Sequence, residues 1–144
     1  MKHLNSPFVL LALNASNSYF EEKCIARLGL PYKVLTGSYK GVKERSYLVL
    51  VSSDENSFAV DMDKISRIKD LAWEYNQECV LFVDAQRLAT VIYSNGKTVE
   101  VGKYVREDKA KALLQDAWTY DFTADQYWVT KDLKDVTGPE IGVK

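Results

Sequence analysis

The order of strands and helices along the chain predicts an α+β fold of the ferredoxin-like kind. Two apolar runs of strand type, residues 7–13 and 79–83, stand at the ends of a segment that holds two amphipathic helices. Two further strand-like stretches lie between those helices. The resulting order β-α-β-β-α-β is that of a ferredoxin-like sandwich. A β-hairpin and one more helix are predicted to be added after it, on the C-terminal side.

The first strand and the first helix have clear signals. Residues 7–13 (Pro-Phe-Val-Leu-Leu-Ala-Leu) are apolar throughout, as in a strand that is covered on both faces. Ser18 and Glu21 then form a capping box, which predicts the start of a helix. Gly29 and Pro31 predict its end, because glycine favours the residue after a helix and proline cannot continue it.

Two strands and the second helix follow. Residues 32–35 are predicted to form a strand that breaks at Thr36-Gly37, and residues 46–51 are again rich in β-forming residues. The second helix is the clearest in the chain, because its apolar residues recur at helical spacing. These residues are Met62, Ile65, Ile68, Ala72 and Tyr75.

The C-terminal part of the chain predicts a hairpin, a helix and a last strand. Residues 88–93 and 97–101 flank an Asn95-Gly96 pair, which favours a tight turn with both central residues at positive φ. Residues 108–118 show helical spacing of apolar residues, and residues 126–130 are of strand type. The apolar face of this helix would comprise Ala110, Leu113, Leu114, Ala117 and Trp118.

The composition is that of one soluble globular domain. The 144 residues are 47% hydrophobic, which is enough for an ordinary core. We expect residues 1–130 to form this domain and residues 131–144 to be a polar, flexible tail. The longest apolar run, residues 8–13, is too short to span a membrane and is predicted to be a strand and not a signal peptide. The protein is therefore predicted to be cytoplasmic and to bind no membrane.

The charge and the residue counts argue against several classes of function. The net charge is −1, with 19 basic and 20 acidic residues, whereas nucleic-acid binding requires a basic face. Cys24 and Cys79 are the only cysteines and His3 is the only histidine. These are too few for a zinc site or for histidine-based catalysis, and both cysteines are expected to be buried thiols. The seven glycines contain no G-x-G-x-x-G motif, which argues against a Rossmann nucleotide site. Neither a metal nor a cofactor is therefore predicted.

Two polar clusters are candidates for a site. Tyr39 and Glu44 place an aromatic ring and a carboxylate five residues apart, and such a pair can hold a small organic cation. The alternative is a turn tyrosine and a solvated glutamate. Gln77 and Glu78 follow the second helix, where the alternative is a polar helix end without chemistry. Two copies of a small domain could bring the clusters together across an interface.

Short segments around these two clusters resemble, in their order and separation, the phage-encoded enzymes that degrade S-adenosylmethionine (SAM lyases, formerly called SAM hydrolases). The resemblance covers roughly residues 32–130, and its more specific part is the string Gln-Glu-Cys-Val-Leu. The matching segments are Thr36-Gly37-Ser38-Tyr39, Glu44-Arg45-Ser46 and Gln77-Glu78-Cys79-Val80-Leu81.

The resemblance also implies roles for four residues. The family's binding-site tyrosine matches Tyr39 and its key glutamate matches Glu44, which makes these two the candidate catalytic and substrate-binding residues. Gln77 and Glu78 match the polar pair before the family's central strand and are candidates for substrate binding. The loop between the tyrosine and the glutamate is shorter here than in the family.

The activity implied by the resemblance is cleavage of S-adenosylmethionine to 5′-methylthioadenosine and L-homoserine lactone. The sulfonium makes a neutral thioether an excellent leaving group, and the substrate's own carboxylate can attack its γ-carbon. The reaction therefore needs positioning and not an external base or metal. The resemblance further implies a homotrimer with sites between subunits. In a phage-infected host, the activity would deplete S-adenosylmethionine and counter restriction–modification.

Three alternatives remain open at this stage. If Glu44 acts as a base on water, the product is homoserine and the enzyme is a hydrolase. A trimeric PII-like module would bind a nucleotide between subunits without chemistry. A protein that blocks a host defence enzyme by surface mimicry would usually be strongly acidic, which a net charge of −1 does not favour.

Overall fold

The computed structural model describes residues 6–15, 17–54 and 58–132. Eight antiparallel strands close into a barrel in the order β1-β3-β2-β7-β8-β6-β5-β4, counted by their order in the chain. The strands are β1 (Phe8–Leu11), β2 (Tyr32–Tyr39), β3 (Val42–Leu50), β4 (Cys79–Val83), β5 (Leu88–Tyr93), β6 (Thr98–Glu107), β7 (Ala117–Asp121) and β8 (Gln126–Lys131). The helices are α1 (Ser18–Ala26), α2 (Met62–Glu74) and α3 (Lys109–Ala112).

The predicted ferredoxin-like fold class is wrong. Strands β4, β1, β3 and β2 lie side by side in that order, and each neighbouring pair is antiparallel. The sheet continues beyond both of these outer strands, because β2 also pairs with β7 and β4 also pairs with β5. Both edges that an open sheet would expose are therefore paired, and an eight-stranded barrel replaces the α+β sandwich.

The predicted third helix explains the error. Only Lys109–Ala112 is helical, and the last two residues of the predicted segment, Ala117 and Trp118, begin β7. The sequence Trp118-Thr119-Tyr120 is aromatic and β-branched, which suits a strand better than a helix. Because β7 pairs with both β2 and β8, it is the strand that closes the barrel. The strand predicted over residues 126–130 is confirmed as β8.

Alternation along the strands separates an inner core from an outer one. In β3, Leu48 faces the barrel interior, while Tyr47 and Val49 face outward beneath α1 and α2. The same division accounts for the continuous apolar run of β1, which is covered on both faces. The inner core comprises Phe8, Leu10, Leu35, Leu48, Val83, Ala89, Tyr104 and Trp128.

The two hairpins near the site differ from their predicted turns. The hairpin around Asn95-Gly96 is confirmed, but Gly96 has positive φ (91°) and Asn95 does not, so the predicted turn type is wrong. Thr36-Gly37 does not break β2, which runs on to Tyr39. The tight turn with both central residues at positive φ is Lys40-Gly41, at 51° and 82°.

The remaining expectations concern single residues and the termini. Cys24 is buried, as predicted, whereas Cys79 is only partly buried, and both are free thiols. His3 and residues 133–144 of the predicted tail lie outside the described residues. Within the described ranges, no helix is long and apolar enough to cross a membrane.

Candidate functional site

One end of the barrel brings the two predicted clusters together within a single chain. β2 ends there at Tyr39 and β4 begins there at Cys79. The Nζ atom of Lys40, beside Tyr39, lies 3.8 Å from Oε1 of Glu78, beside Cys79. The Tyr39 hydroxyl and the Cys79 thiol are also close enough to shift each other's pKa. We call this end the open rim.

Glu44 reaches the open rim from the start of β3. Its Oε1 atom accepts a hydrogen bond of 3.1 Å from Nδ2 of Asn14. Asn14 follows β1 and adopts a positive φ of 54°, a conformation that asparagine tolerates better than most residues. Asn14 was not among the predicted site residues, because its contact with Glu44 spans 30 positions. The asparagine that ends the apolar run of β1 was the available signal.

Gly37 fixes the packing beside Glu44. The two residues are directly opposite each other in the β2–β3 pair. A Cβ atom at Gly37 would lie 2.2 Å from Oγ of Ser46, the next residue of β3 on the same face. Ser46 is itself buried. The glycine of the Thr-Gly-x-Tyr segment therefore has a steric role, which is to admit the Ser46 side chain beneath the carboxylate of Glu44.

The Tyr39 ring already carries a cation in this structure. The ammonium group of Lys40 lies 5.1 Å from the ring centroid, within the usual range of a cation–π contact. The Lys40 N–H donates a 2.8 Å hydrogen bond to the carbonyl oxygen of Asp116, just before β7. The turn that carries Lys40 is thus tied to the strand that closes the barrel.

The electrostatics of the open rim keep its hydroxyl and thiol neutral. Burial, followed by the nearby Cys79, raises the pKa of the Tyr39 hydroxyl above its usual value. Burial and then the carboxylate of Glu78 raise the pKa of the Cys79 thiol. Glu78 also raises the pKa of Lys40, which therefore stays charged. A protonated thiol is a weak nucleophile, so the ring and the carboxylates are the groups equipped to act here.

Gln77 is at the open rim, but its amide contacts backbone. Nε2 donates to the carbonyl oxygen of Leu13 at 3.0 Å and to that of Tyr75 at 3.3 Å. The first of these bonds holds the residue next to Asn14, which in turn binds Glu44. Gln77 thus positions the segment after β1. Its predicted contact with substrate stays a prediction, as do the roles predicted for Tyr39, Glu44 and Glu78.

The fold and the rim together define a class of protein: a small antiparallel barrel that gathers an aromatic ring and carboxylates at one rim. Among the described residues, no group of three or more histidine, cysteine or acidic side chains is placed to hold a metal ion. Residues 13–131 match the model of the S-Adenosylmethionine lyase family, and the chain belongs to that family. The predicted family is thereby confirmed. A search of curated proteins gave no match to the chain.

The family identifies the protein as an enzyme that acts on S-adenosylmethionine. The matched range begins one residue before Asn14 and ends at the last residue of β8, so it includes every side chain of the open rim described above. The substrate carries a sulfonium and an ammonium group, and both are cations of the kind that an aromatic ring and carboxylates bind.

Proposed function

We propose that the open rim cleaves S-adenosylmethionine to 5′-methylthioadenosine and L-homoserine lactone. A carboxylate oxygen of the substrate attacks its own γ-carbon. The bond between that carbon and sulfur breaks, and its electron pair returns to sulfur, so the sulfonium becomes a neutral thioether. The positive charge on sulfur and the negative charge of the carboxylate both disappear, and no proton has to move. The observation that carries this proposal is the gathering of Tyr39, Glu44 and Glu78 at one rim of a family member.

Glu44 anchors the substrate in a folded conformation. Its carboxylate is held by Asn14, and it binds either the ammonium or a ribose hydroxyl of the substrate. The substrate carboxylate is then left uncontacted and in line with the γ-carbon. Orientation of two reacting groups in this way can lower a barrier by about 7–11 kcal/mol. Glu78, whose charge lies close to Lys40 and Tyr39, adds to the negative potential that attracts a cationic substrate.

Tyr39 binds the sulfonium through its ring face. A cation–π contact is worth about 0.5–2 kcal/mol, depending on how far it is desolvated. Because the charge on sulfur is lost as the bond breaks, this contact favours binding more than it favours the chemical step. The raised pKa of the Tyr39 hydroxyl keeps that group neutral, so it does not act as a general base.

The protonated state of the Cys79 thiol argues against a covalent route and so supports intramolecular attack. A covalent mechanism would require Cys79 as thiolate, but burial and Glu78 raise its pKa and hold it protonated. The hydrolase alternative needs Glu44 to activate a water molecule for attack on the γ-carbon. The PII-like binding module loses its main argument, since it rested on a ferredoxin-like fold and the chain is a closed barrel.

An isotope experiment distinguishes these routes. The protein is incubated with S-adenosylmethionine in water enriched in oxygen-18, quenched early, and its products are separated and fragmented in a mass spectrometer. Internal attack gives unlabelled lactone first, and any later opening of the lactone places the label in the carboxylate. Label in the γ-hydroxyl of homoserine would establish hydrolysis instead. Binding of the substrate without consumption would overturn the enzyme proposal and favour a binding module.

We also propose the assembly and the biological role that the family resemblance implies. A homotrimer would add a neighbouring chain to each open rim, and light scattering should then give about three times the mass of the 16.4 kDa chain. A monomeric mass for an active preparation would overturn this. In the cytoplasm of a phage-infected host, depletion of S-adenosylmethionine would lower DNA methylation and restriction. Expression of the active protein in a restricting host, with measurement of DNA methylation and of restriction, tests both effects.

A further inference from the structure

We propose that Lys40 is a displaceable occupant of the substrate's cation site, and that it disfavours the neutral product. Its ammonium group takes the position on Tyr39 that the substrate's sulfonium takes, and it withdraws when substrate binds. It returns when the charge on sulfur is lost, and so helps 5′-methylthioadenosine to leave. This inference rests on the proposed function of the open rim.

The geometry around the ammonium carries the inference. Nζ of Lys40 lies 5.1 Å from the centroid of the Tyr39 ring and 3.8 Å from Oε1 of Glu78. A ring face and a carboxylate close to the same ammonium form an environment that also suits the organic cation of the substrate. Lysine and substrate therefore compete for the same two groups.

The contact is weak enough to be exchanged. The side chains of Lys40 and Glu78 are 66% and 61% exposed, so water and salt screen their attraction. The backbone beneath Lys40 is fixed, because its N–H is bonded to the carbonyl oxygen of Asp116. The long side chain can thus swing away from the ring while the turn and the Tyr39 strand stay in place.

Lysine is an unusual residue at position 40, the first of the two central positions of the turn. Both residues of the Lys40-Gly41 turn have positive φ, and such turns favour asparagine, aspartate or glycine at the first of the two positions. A lysine there is locally unfavourable, so the turn itself gives no reason for it. Its ammonium on the Tyr39 ring supplies one.

A competing internal cation reduces the apparent affinity to the intrinsic affinity multiplied by the fraction of time that the site is free. Removal of the ammonium should therefore lower KM about two- to fivefold, in line with an exposed cation–π contact, and leave kcat unchanged. The neutral product should also bind more tightly by a similar factor. A general change in surface charge would alter the affinity for the cationic substrate but not for the uncharged product.

The experiment compares Lys40→Met with Lys43→Met. Lys43 is an exposed lysine three positions further along, so its replacement removes the same charge near the same hairpin. KM and kcat are measured with S-adenosylmethionine, and the dissociation constant of 5′-methylthioadenosine is measured by calorimetry. Lys40→Met should lower both KM and the product's dissociation constant, and Lys43→Met should leave the product's constant unchanged. Asparagine suits this turn, so Lys40→Asn should fold stably and should show the same decrease in KM and in the product's dissociation constant as Lys40→Met.

Each of the following results would overturn the inference. An increase of KM in Lys40→Met would mean that Lys40 binds the substrate, for example through its carboxylate. Unchanged binding of 5′-methylthioadenosine would mean that Lys40 acts only as a surface charge. A wild-type protein that consumes no S-adenosylmethionine would instead remove the proposed function, and this inference with it. An active wild type with an unchanged Lys40→Met variant would remove this inference alone.

Discussion

The two ends of the barrel both hold a cation against aromatic rings, but one arrangement is buried and the other is open to solvent. Arg87 follows β4 at the end of the barrel opposite the open rim, which we call the closed end. Its guanidinium lies 5.5–5.7 Å from the ring centroids of Phe8, Tyr104 and Trp128. Arg87 is only 4% exposed. At the open rim, Lys40 lies over the single ring of Tyr39 and is mostly exposed.

The difference shows what burial does to the same interaction. Cation–π attraction is stronger where water is excluded, and a buried cation cannot leave without opening the core. Burial also lowers the pKa of Arg87 below that of a free guanidinium. The Arg87 arrangement thus belongs to the folded core, whereas the partly exposed ring of Tyr39 can exchange one cation for another. Stability should depend on the closed end and activity on the open rim.

The largest effect should follow from Arg87→Ala. The variant removes a buried side chain that packs against three rings and leaves a cavity, so the free energy of unfolding should fall by about 2–5 kcal/mol. Urea unfolding measures this. Arg106, an exposed arginine on β6, is the matched control, and Arg106→Ala should change the stability by no more than about 0.5 kcal/mol. Equal stability of the two variants would contradict the structural role of the closed end.

The next effect should follow from Glu44→Gln. Loss of a charged hydrogen bond to the substrate is worth about 1.5–3 kcal/mol, so kcat/KM should fall about 10- to 150-fold while the fold is kept. Steady-state kinetics and thermal unfolding measure the two quantities. Glu100→Gln, at an exposed position of β6, removes the same charge away from the rim and should leave the activity intact. Unchanged turnover in Glu44→Gln would remove Glu44 from the mechanism.

A smaller effect should separate the ring of Tyr39 from its hydroxyl. Tyr39→Leu removes the aromatic face and should raise KM about 2- to 30-fold, which corresponds to a cation–π contact of about 0.5–2 kcal/mol. Tyr39→Phe keeps the face and should leave KM near that of the wild type. The kinetics of both variants provide the comparison. If Phe and Leu impair binding equally, the hydroxyl and not the ring is the group that binds substrate.

The smallest effect concerns the pH dependence of the Cys79 thiol. Because burial and Glu78 raise its pKa, a smaller fraction of Cys79 than of free cysteine is thiolate at any given pH. Alkylation by iodoacetamide, followed by peptide mass mapping, should therefore be slower than for free cysteine near pH 8 and should rise at higher pH. Bound S-adenosylmethionine should protect the thiol. Faster alkylation than free cysteine would show that the thiol is activated.

The proximity of the candidate residues was more predictable than the fold. Tyr39 and Glu44 are close in sequence, so the strand pairing that joins them is local. The fold depended on β7. Leu113, Leu114 and Ala117 imitate the spacing of a helix, although a turn precedes residue 117 and the strand that begins there pairs with β2 and β8. No local pattern reports that distant pairing. The contact of Asn14 with Glu44 was missed for the same reason.

Closure of the barrel by β7 has a consequence for the order in which the protein is made. Asn14, Tyr39, Glu44 and Glu78 are all synthesised well before β7, yet β2 lacks its second neighbour until residues 117–121 appear. A nascent chain would expose that strand as an unpaired edge, and such edges promote association between chains. A chain truncated before Asp116 would contain every candidate site residue but would lack both β7 and the carbonyl oxygen that holds the Lys40 turn.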